Sequence, residues 1–334
     1  MTVRVGINGF GRIGRNFFRA ARASGAAIEI VAINDLADKS DLAHLLDFDS
    51  ILGRLGAEVT ATGTGIRVGE QQVIATAEPD PGSIPWADAG VDVVIEATGR
   101  FTDGAAARAH VDAGGARKVI LSAPGKDVDR SVVMGVNHET IDPADVVVSN
   151  ASCTTNCLAP MAKVLHEGIG IEAGLMTTVH AYTATQNLLD NVHKDPRRAR
   201  AAALNVIPTS TGAAKALGLV LPELDGKLDG FALRVPVPTG SVVDLTVTTS
   251  RATSAEEVNA LFSDAAQGAL APWLTYSTDP IVSSDIVTHP ASCIFDAPLT
   301  RVIGDQVKVV GWYDNEWGYA NRLVDLVTHL GSTL

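Results

Sequence analysis

A chain of 334 residues, 46% hydrophobic and 19% charged, exceeds one ordinary hydrophobic core and excludes a disordered or fibrous protein, so two folded domains are expected. Its formal net charge of −12 weighs against general nucleic-acid binding, which rests on Lys and Arg neutralising phosphates. Three cysteines form no disulfide framework, and neither a secretory signal nor a run of about 18 uncharged apolar residues is visible, so a cytoplasmic protein with no membrane partner is expected.

The first element, "VRVGI" (3–7), is an apolar β-like run, and the segment after it places Ile13, Phe17, Phe18 and Ala21 at helical spacing. Between them Gly9-x-Gly11-x-x-Gly14 matches the dinucleotide fingerprint: a tight turn, room for a pyrophosphate, and close helix–strand packing. A second run, "IEIVAIND" (28–35), ends in Asp35, where the fingerprint expects a carboxylate on the ribose hydroxyls. A carboxylate repels a 2′-phosphate, so NAD is favoured over NADP. The stretch 55–86 reads as an antiparallel excursion. Strands at 91–99, 117–124 and 145–150, with a helix at 103–115, extend the alternation that makes a parallel, doubly wound sheet.

The strand "DVVVSN" runs directly into "ASCTTNCLAPMAKVLHE", which puts Cys153 near a helix N-terminus, where thiolate is favoured. Pro160 predicts a kink in that helix. Cys157 lies one turn further on, and Cys293 stands alone, so both read as small core residues and no metal site is expected. The strand-like "GLMTTVHAYTATQ" (174–186) carries His180, a candidate base for the cysteine. The basic run "HKDPRRAR" (193–200) reads either as a solvated or subunit-contact loop or as a source of anion attraction near a site. "TSAEEVNALFSDAAQG" (253–268) opens with a Ser254-x-x-Glu257 capping box.

Taken together and in order, "INGFGRIGR", "ASCTTNCLAP", "TTVHAYTATQ", "HKDPRRARAAA", "IPTSTGAAKA", "RVPVPTGSVVDL" and "WYDNEWGYANR" resemble the phosphorylating glyceraldehyde-3-phosphate dehydrogenases along essentially the whole chain. The resemblance implies a Rossmann-type NAD-binding domain (1–150 and 316–334) made discontinuous by a returning C-terminal helix with Leu323, Val324, Val327 and Leu330 on one face. It also implies an α+β catalytic domain (151–315) with a mixed, mostly antiparallel sheet, and a homotetramer in which 182–205 is an interface loop.

The resemblance makes Cys153 the nucleophile and His180 its base, acting on glyceraldehyde 3-phosphate with inorganic phosphate as second substrate. It assigns Arg234, Thr183 and Thr185 to the substrate phosphate, and Ser152, Thr154, Thr211 and Gly212 to inorganic phosphate. For the cofactor it implies Arg12 and Ile13 beside Gly9, Gly11 and Gly14 at the pyrophosphate, Asp35 at the adenosine ribose, Ser122 near the nicotinamide half, and Asn315 on the carboxamide.

The chain departs from the common pattern at Thr185-Gln186-Asn187, at Asn191-Val192 and at Pro79, which bears on strict NAD preference and suggests a variant isozyme with altered sensitivity to thiol-directed inhibitors. The alternatives are an erythrose-4-phosphate dehydrogenase, which hydrolyses its acyl-enzyme, a cysteine hydrolase without a dinucleotide, and a non-catalytic NAD-responsive binding protein.

Overall fold

The computed structural model describes residues 2–332 and 334, and the chain divides into two units. One comprises the chain up to Val132, Glu139–Ala151 and the stretch from Ala320; the other comprises Val133–His138 and Ser152–Tyr319. The short piece Val133–His138 falls with the second unit.

In the first unit the alternation is strand β1 (Val3–Asn8), helix α1 (Arg12–Ser24), β2 (Ile28–Asn34), α2 (Lys39–Asp47), the small hairpin β3 (Phe48–Asp49) and β4 (Gly53–Arg54), then β5 (Val59–Ala61), β6 (Gly65–Val68) and β7 (Gln71–Thr76). It continues with β8 (Val93–Glu96), α3 (Gly104–Asp112), β9 (Lys118–Leu121), β10 (Arg130–Ser131) and β11 (Val147–Ser149). The sheet order is β10-β11-β9-β8-β1-β2-β7-β6-β5, parallel from β10 to β7 and antiparallel at β7-β6 and β6-β5. Of the stretch 55–86, expected to be an antiparallel excursion, β5 and β6 form the antiparallel margin of the main sheet, while β7 joins it parallel to β2.

Strands β8 and β9 are buried at every position, as expected of parallel strands covered on both faces. Trp86, Val94, Ala107, Val119 and Val147 pack in one cluster on this sheet. The order reverses at β1, which has β2 on one side and β8 on the other, so a crevice is expected beyond its carboxyl end.

The second unit begins with α4 (Cys153–Ile169) and β12 (Ile171–Ala181), followed by β13 (Ile207–Ser210), α5 (Ala213–Val220), β14 (Leu228–Val235), β15 (Ser241–Thr249) and α6 (Ala255–Gln267). It ends with β16 (Leu274–Ser277), β17 (Cys293–Asp296), β18 (Arg301–Ile303) and β19 (Gln306–Tyr313). The sheet order is β13-β14-β12-β15-β19-β17-β16, with β18 beside β19. Only β12-β14 and β16-β17 are parallel among its described pairs, which makes the sheet mixed and mostly antiparallel. Along β15, Ser241, Val243, Leu245, Val247 and Thr249 are buried while the residues between them are half-buried, the alternation of a sheet with one face on a core.

Helix α4 supplies that core with Leu158, Met161, Ala162 and Leu165, and it runs unbroken through Pro160. Gly311 on β19 lets the helix approach: a Cβ there would stand 2.5 Å from Met161 Sδ, 2.7 Å from Cys293 Sγ and 3.3 Å from Cys157 Sγ. Cys157 and Cys293 are buried, free thiols in this contact layer. In α6 the capping box forms, with Ser254 Oγ accepting from the Glu257 amide at 3.2 Å.

Helix α7 (Trp317–Gly331) carries Leu323, Val324, Leu326, Val327 and Leu330 buried, and its residues from Ala320 belong to the first unit. Its end lies close against β1, since a Cβ on Gly331 would stand 2.3 Å from Val3 Cγ2.

Candidate active site

Beyond the carboxyl ends of β1, β2 and β8 lies a cavity of about 260 Å³, lined among others by Gly9, Gly11, Asp35, Pro79, Thr98 and Phe101. The three fingerprint glycines have separable reasons to be glycine. Gly9 has φ +89°, and a Cβ there would stand 2.7 Å from the Thr98 amide nitrogen. At Gly14 a Cβ would stand 2.3 Å from the Gly9 carbonyl oxygen, so this position is small because α1 presses on the turn. A Cβ at Gly11 meets no protein atom within 4 Å. The space in front of Gly11 is therefore open to a ligand, at the start of a helix with no side-chain cap and no acidic residue in its first turn.

Asp35 closes one side: Oδ2 accepts from the Phe10 amide at 2.8 Å and Oδ1 from the Ala37 amide at 3.1 Å. Arg12 and Ile13 are the first residues of α1. The Arg12 guanidinium pairs with Asp49, which leaves the backbone of this position, rather than its charge, for a phosphate. Burial opposes ionisation of Asp49, but the Leu52 and Ile51 amides and Arg12 hold its carboxyl below the usual range. Ser122 follows β9, with its amide donating to the Glu96 carbonyl at 2.9 Å.

In the second unit Cys153 opens α4, whose N-cap Ser152 accepts from the Thr155 amide through Oγ at 3.0 Å. The chain enters this helix through Ala151 at φ +53°, a left-handed conformation that costs a non-glycine residue about 1 kcal/mol. The Cys153 sulfur stands 3.4 Å from His180 Nε2. His180 sits near the end of β12, and the parallel register of β12 with β14 puts Arg234 directly beside it. Arg234 Nη1 is 2.6 Å from His180 Nδ1 and 3.0 Å from the Ala181 carbonyl, which is itself 2.7 Å from Nδ1.

Nδ1 thus faces both a donor, Arg234 Nη1, and an acceptor, the Ala181 carbonyl: where Nδ1 accepts from Arg234 the proton sits on Nε2, and where Nδ1 donates to Ala181, with Arg234 giving its proton to the same carbonyl, Nε2 offers its lone pair to the thiol as a general base. Burial first, then the Arg234 cation, lower the His180 pKa to about 3. Burial also pushes the Cys153 thiol up, against the pull of Arg234 and of the Thr154 hydroxyl and amide. Burial thus favours a resting pair of thiol and neutral imidazole, while the helix N-terminus and Arg234 favour the thiolate. Proton transfer from sulfur to Nε2 creates two charges that attract across 3.4 Å, and Arg234 favours the thiolate.

Tyr313 and Arg198 were missed as site residues by sequence reasoning. Tyr313 is buried, with its hydroxyl 2.9 Å from Thr154 Oγ1 and 2.8 Å from Thr178 Oγ1, and its ring edge-on to His180 at 5.8 Å. The hydroxyl of Thr154 is thus engaged within the protein, and an anion there would meet its backbone amide. Arg198, inside the basic run, lies close enough to Arg234 to lower that guanidinium's pKa. Arg234 carries a buried Nε with no hydrogen-bond partner, whereas the buried Nε of Arg198 faces Asp195 Oδ2 at 3.9 Å, an ion pair without a hydrogen bond. The run at 193–200 was the signal for Arg198; nothing marked Tyr313.

Thr183 and Thr185 follow β12, with their hydroxyls 3.0 Å apart. Thr211 Oγ1 accepts from the Ala213 amide at 3.2 Å, and Gly212 is the open N-cap of α5. Asn315 is buried and accepts from Ser241 Oγ at 2.8 Å. Of the departures from the common pattern, Pro79 lines the cavity beyond β1, β2 and β8, and Val192 is 95% exposed. Among the described residues no helix is long and apolar enough to cross a membrane.

Comparison with known proteins covers both units. Residues 3–104 match the family described as the NAD binding domain of glyceraldehyde 3-phosphate dehydrogenase, and residues 152–315 match its C-terminal domain. Over the full length of both chains, this one is 65% identical to glyceraldehyde-3-phosphate dehydrogenase 1 of Streptomyces avermitilis and 65% identical to glyceraldehyde-3-phosphate dehydrogenase 2 of Streptomyces arenae. It is 62% identical, again over all of both chains, to glyceraldehyde-3-phosphate dehydrogenase of Mycobacterium tuberculosis.

Proposed function

The chain belongs to the glyceraldehyde 3-phosphate dehydrogenase family, and we propose that it oxidises and phosphorylates glyceraldehyde 3-phosphate with NAD and inorganic phosphate through an acyl group carried on Cys153. The observation that carries the chemistry is the Cys153 sulfur 3.4 Å from a His180 whose burial and cationic neighbour keep it neutral.

His180 takes the thiol proton, the sulfur adds to the aldehyde carbon, and the proton passes from Nε2 to the carbonyl oxygen, which gives a thiohemiacetal and restores the neutral imidazole. NAD, when bound, supplies the acceptor for the hydride that leaves that carbon. As the hydride leaves, His180 Nε2 removes the hydroxyl proton, so the carbon ends as a thioester. A phosphate oxygen then attacks the thioester carbonyl, the carbon–sulfur bond breaks, and the acyl phosphate departs as the thiolate is restored. Arg234 with Thr183 and Thr185 holds the substrate phosphate. Ser152, the Thr154 amide, Thr211 and Gly212 hold the attacking phosphate, with Arg198 as a second cation near Arg234.

The space in front of Gly11 and the carboxylate of Asp35 suit an unphosphorylated adenosine ribose and its pyrophosphate, which supports NAD over NADP. Exposed Leu188, Leu189, Val192, Leu204 and Val206 in and beside the loop after β12 support burial of that loop against another copy, as in a homotetramer. The need for a reduced Cys153 suits the cytoplasm.

Absorbance at 340 nm tests the reading. Purified protein with glyceraldehyde 3-phosphate and NAD is expected to give phosphate-dependent NADH that is lost in Cys153→Ser. NADH formation indifferent to phosphate would indicate a hydrolysing dehydrogenase of erythrose-4-phosphate type, and no reduction at all would indicate a binding protein.

A further inference from the structure

Behind the nucleotide cavity lies a polar chain to which no role has yet been given. Asn8, Asn34 and Glu96 are the last residues of β1, β2 and β8, and the ladders pair Asn8 with both of the others. All three are buried, as is His110 of α3, which is fully enclosed. A carboxylate in such a place is costly unless every oxygen is satisfied. Glu96 Oε2 accepts from Asn8 Nδ2 at 2.6 Å and faces His110 Nε2 at 3.0 Å. Its Oε1 accepts from the Thr98 amide at 2.9 Å and from the Thr98 hydroxyl.

The direction of each bond is determined. Trp86 Nε1 can only donate, and it lies 2.9 Å from His110 Nδ1, so Nδ1 accepts, the imidazole proton sits on Nε2, and Nε2 donates to Glu96. Because Asn8 donates to Glu96, its Oδ1 is left to accept from Asn34 Nδ2 at 2.8 Å. Asn34 Oδ1 in turn accepts from the Thr76 hydroxyl and the Glu78 amide, each at 2.8 Å, while Nδ2 also donates to the Glu78 carbonyl at 2.8 Å. No amide in the chain can flip without setting donor against donor.

One end of this chain is core, at Trp86 and His110; the other end is cavity wall, at Asn8, Asn34, Glu78 and Thr98. We propose that Glu96 and His110 are positioning residues for the dinucleotide. By tying the ends of three parallel strands and Thr98 to one carboxylate, they fix the width of the cavity before the ligand arrives. The Gly9 turn depends on the same grip, because it lies against Ala97 and Thr98 with no room for a methyl group. A wall already ordered takes up NAD without the entropy cost of ordering it.

The inference rests on the cavity being the site of the adenosine half of NAD. Its test is calorimetric titration of the intact protein with NAD and with ADP-ribose. Glu96→Gln places an amide NH₂ against existing donors, and it is expected to weaken both ligands tenfold or more. The loss should appear in KM for NAD and not in KM for the aldehyde, with the rate of Cys153 alkylation by iodoacetamide in the absence of cofactor within twofold of the parent. A variant that melts earlier yet binds NAD as the parent does would reduce the network to a structural role and overturn the proposal. If Glu96→Gln does not fold, Trp86→Phe removes a single donor and is expected to weaken NAD two- to fivefold; parent-like binding overturns the proposal equally. Asp35→Asn separates the two levels. Weakened binding in Asp35→Asn with unchanged binding in Glu96→Gln defeats the positioning role alone, and unchanged binding in both defeats the placement of NAD in this cavity.

Discussion

The two functional regions solve opposite problems. Around the nucleotide cavity the buried polar atoms of Asn8, Asn34, Glu96 and His110 have partners whose directions are all fixed. Around Cys153 the groups are held away from their preferred states: Ala151 is left-handed, His180 is pushed far below its ordinary pKa, the thiol is pushed up, and Arg234 keeps a buried Nε without a hydrogen bond. A site that only binds gains from preorganised, satisfied walls. A site that must move protons and hold transient anions gains from groups that become satisfied only when substrate arrives.

The sharpest break of this contrast is at His180. In His180→Asn the base is lost while the strand remains, and kcat is expected to fall by about 10²–10⁴-fold, as for removal of a general base, with NAD affinity unchanged. Stopped-flow or steady-state NADH formation beside a calorimetric NAD titration measures both. A fall in NAD affinity as large as the fall in kcat would erase the division between the two regions.

Within the cavity, the glycines separate ligand space from protein space. Gly14→Ala forces a methyl group against the Gly9 carbonyl and is expected to cost about 1–3 kcal/mol of stability by overpacking, read from urea unfolding. Gly11→Ala meets no protein atom, so it should leave the unfolding midpoint nearly in place and weaken NAD instead. Equal effects of the two on stability would contradict the open space at Gly11.

The acid dependence of stability reads the same contrast from the unfolded side. The folded-state pKa of His180 is about 3, below its ordinary 6.5, so between these values the unfolded chain binds the proton more readily. Its contribution is fully present above pH 6.5 and is lost as pH falls toward 3, at no more than about 1.4 kcal/mol per pH unit. Thermal melts between pH 7 and pH 4 should therefore fall less steeply in His180→Gln than in the parent. Parallel curves would place the imidazole in a more solvated setting.

Much of this was legible in the chain. Continuous apolar runs such as "VDVVIEATG" announced buried parallel strands, and the glycine spacing announced the turn that Gly9 and Gly14 make. Cys153 and His180 were readable as partners because a free thiol on a helix start calls for a base. The contacts that tune them were not. Arg234 reaches His180 only through the parallel register of two strands distant in sequence, and Tyr313 comes from the last strand of the sheet. The Glu96 network draws on Trp86, Asn8, Asn34 and His110 from separate segments, so no local pattern betrays it. Periodicity reports which face of an element is apolar; it is silent on which polar side chains meet beneath it.

The return of residues from Ala320 to the first unit sets an order of assembly. During synthesis the strands of the nucleotide-binding sheet emerge first, yet the surface destined for Leu323, Leu326, Val327 and Leu330 stays uncovered until the whole cysteine-bearing unit has been made. The unit that begins the chain is thus finished last.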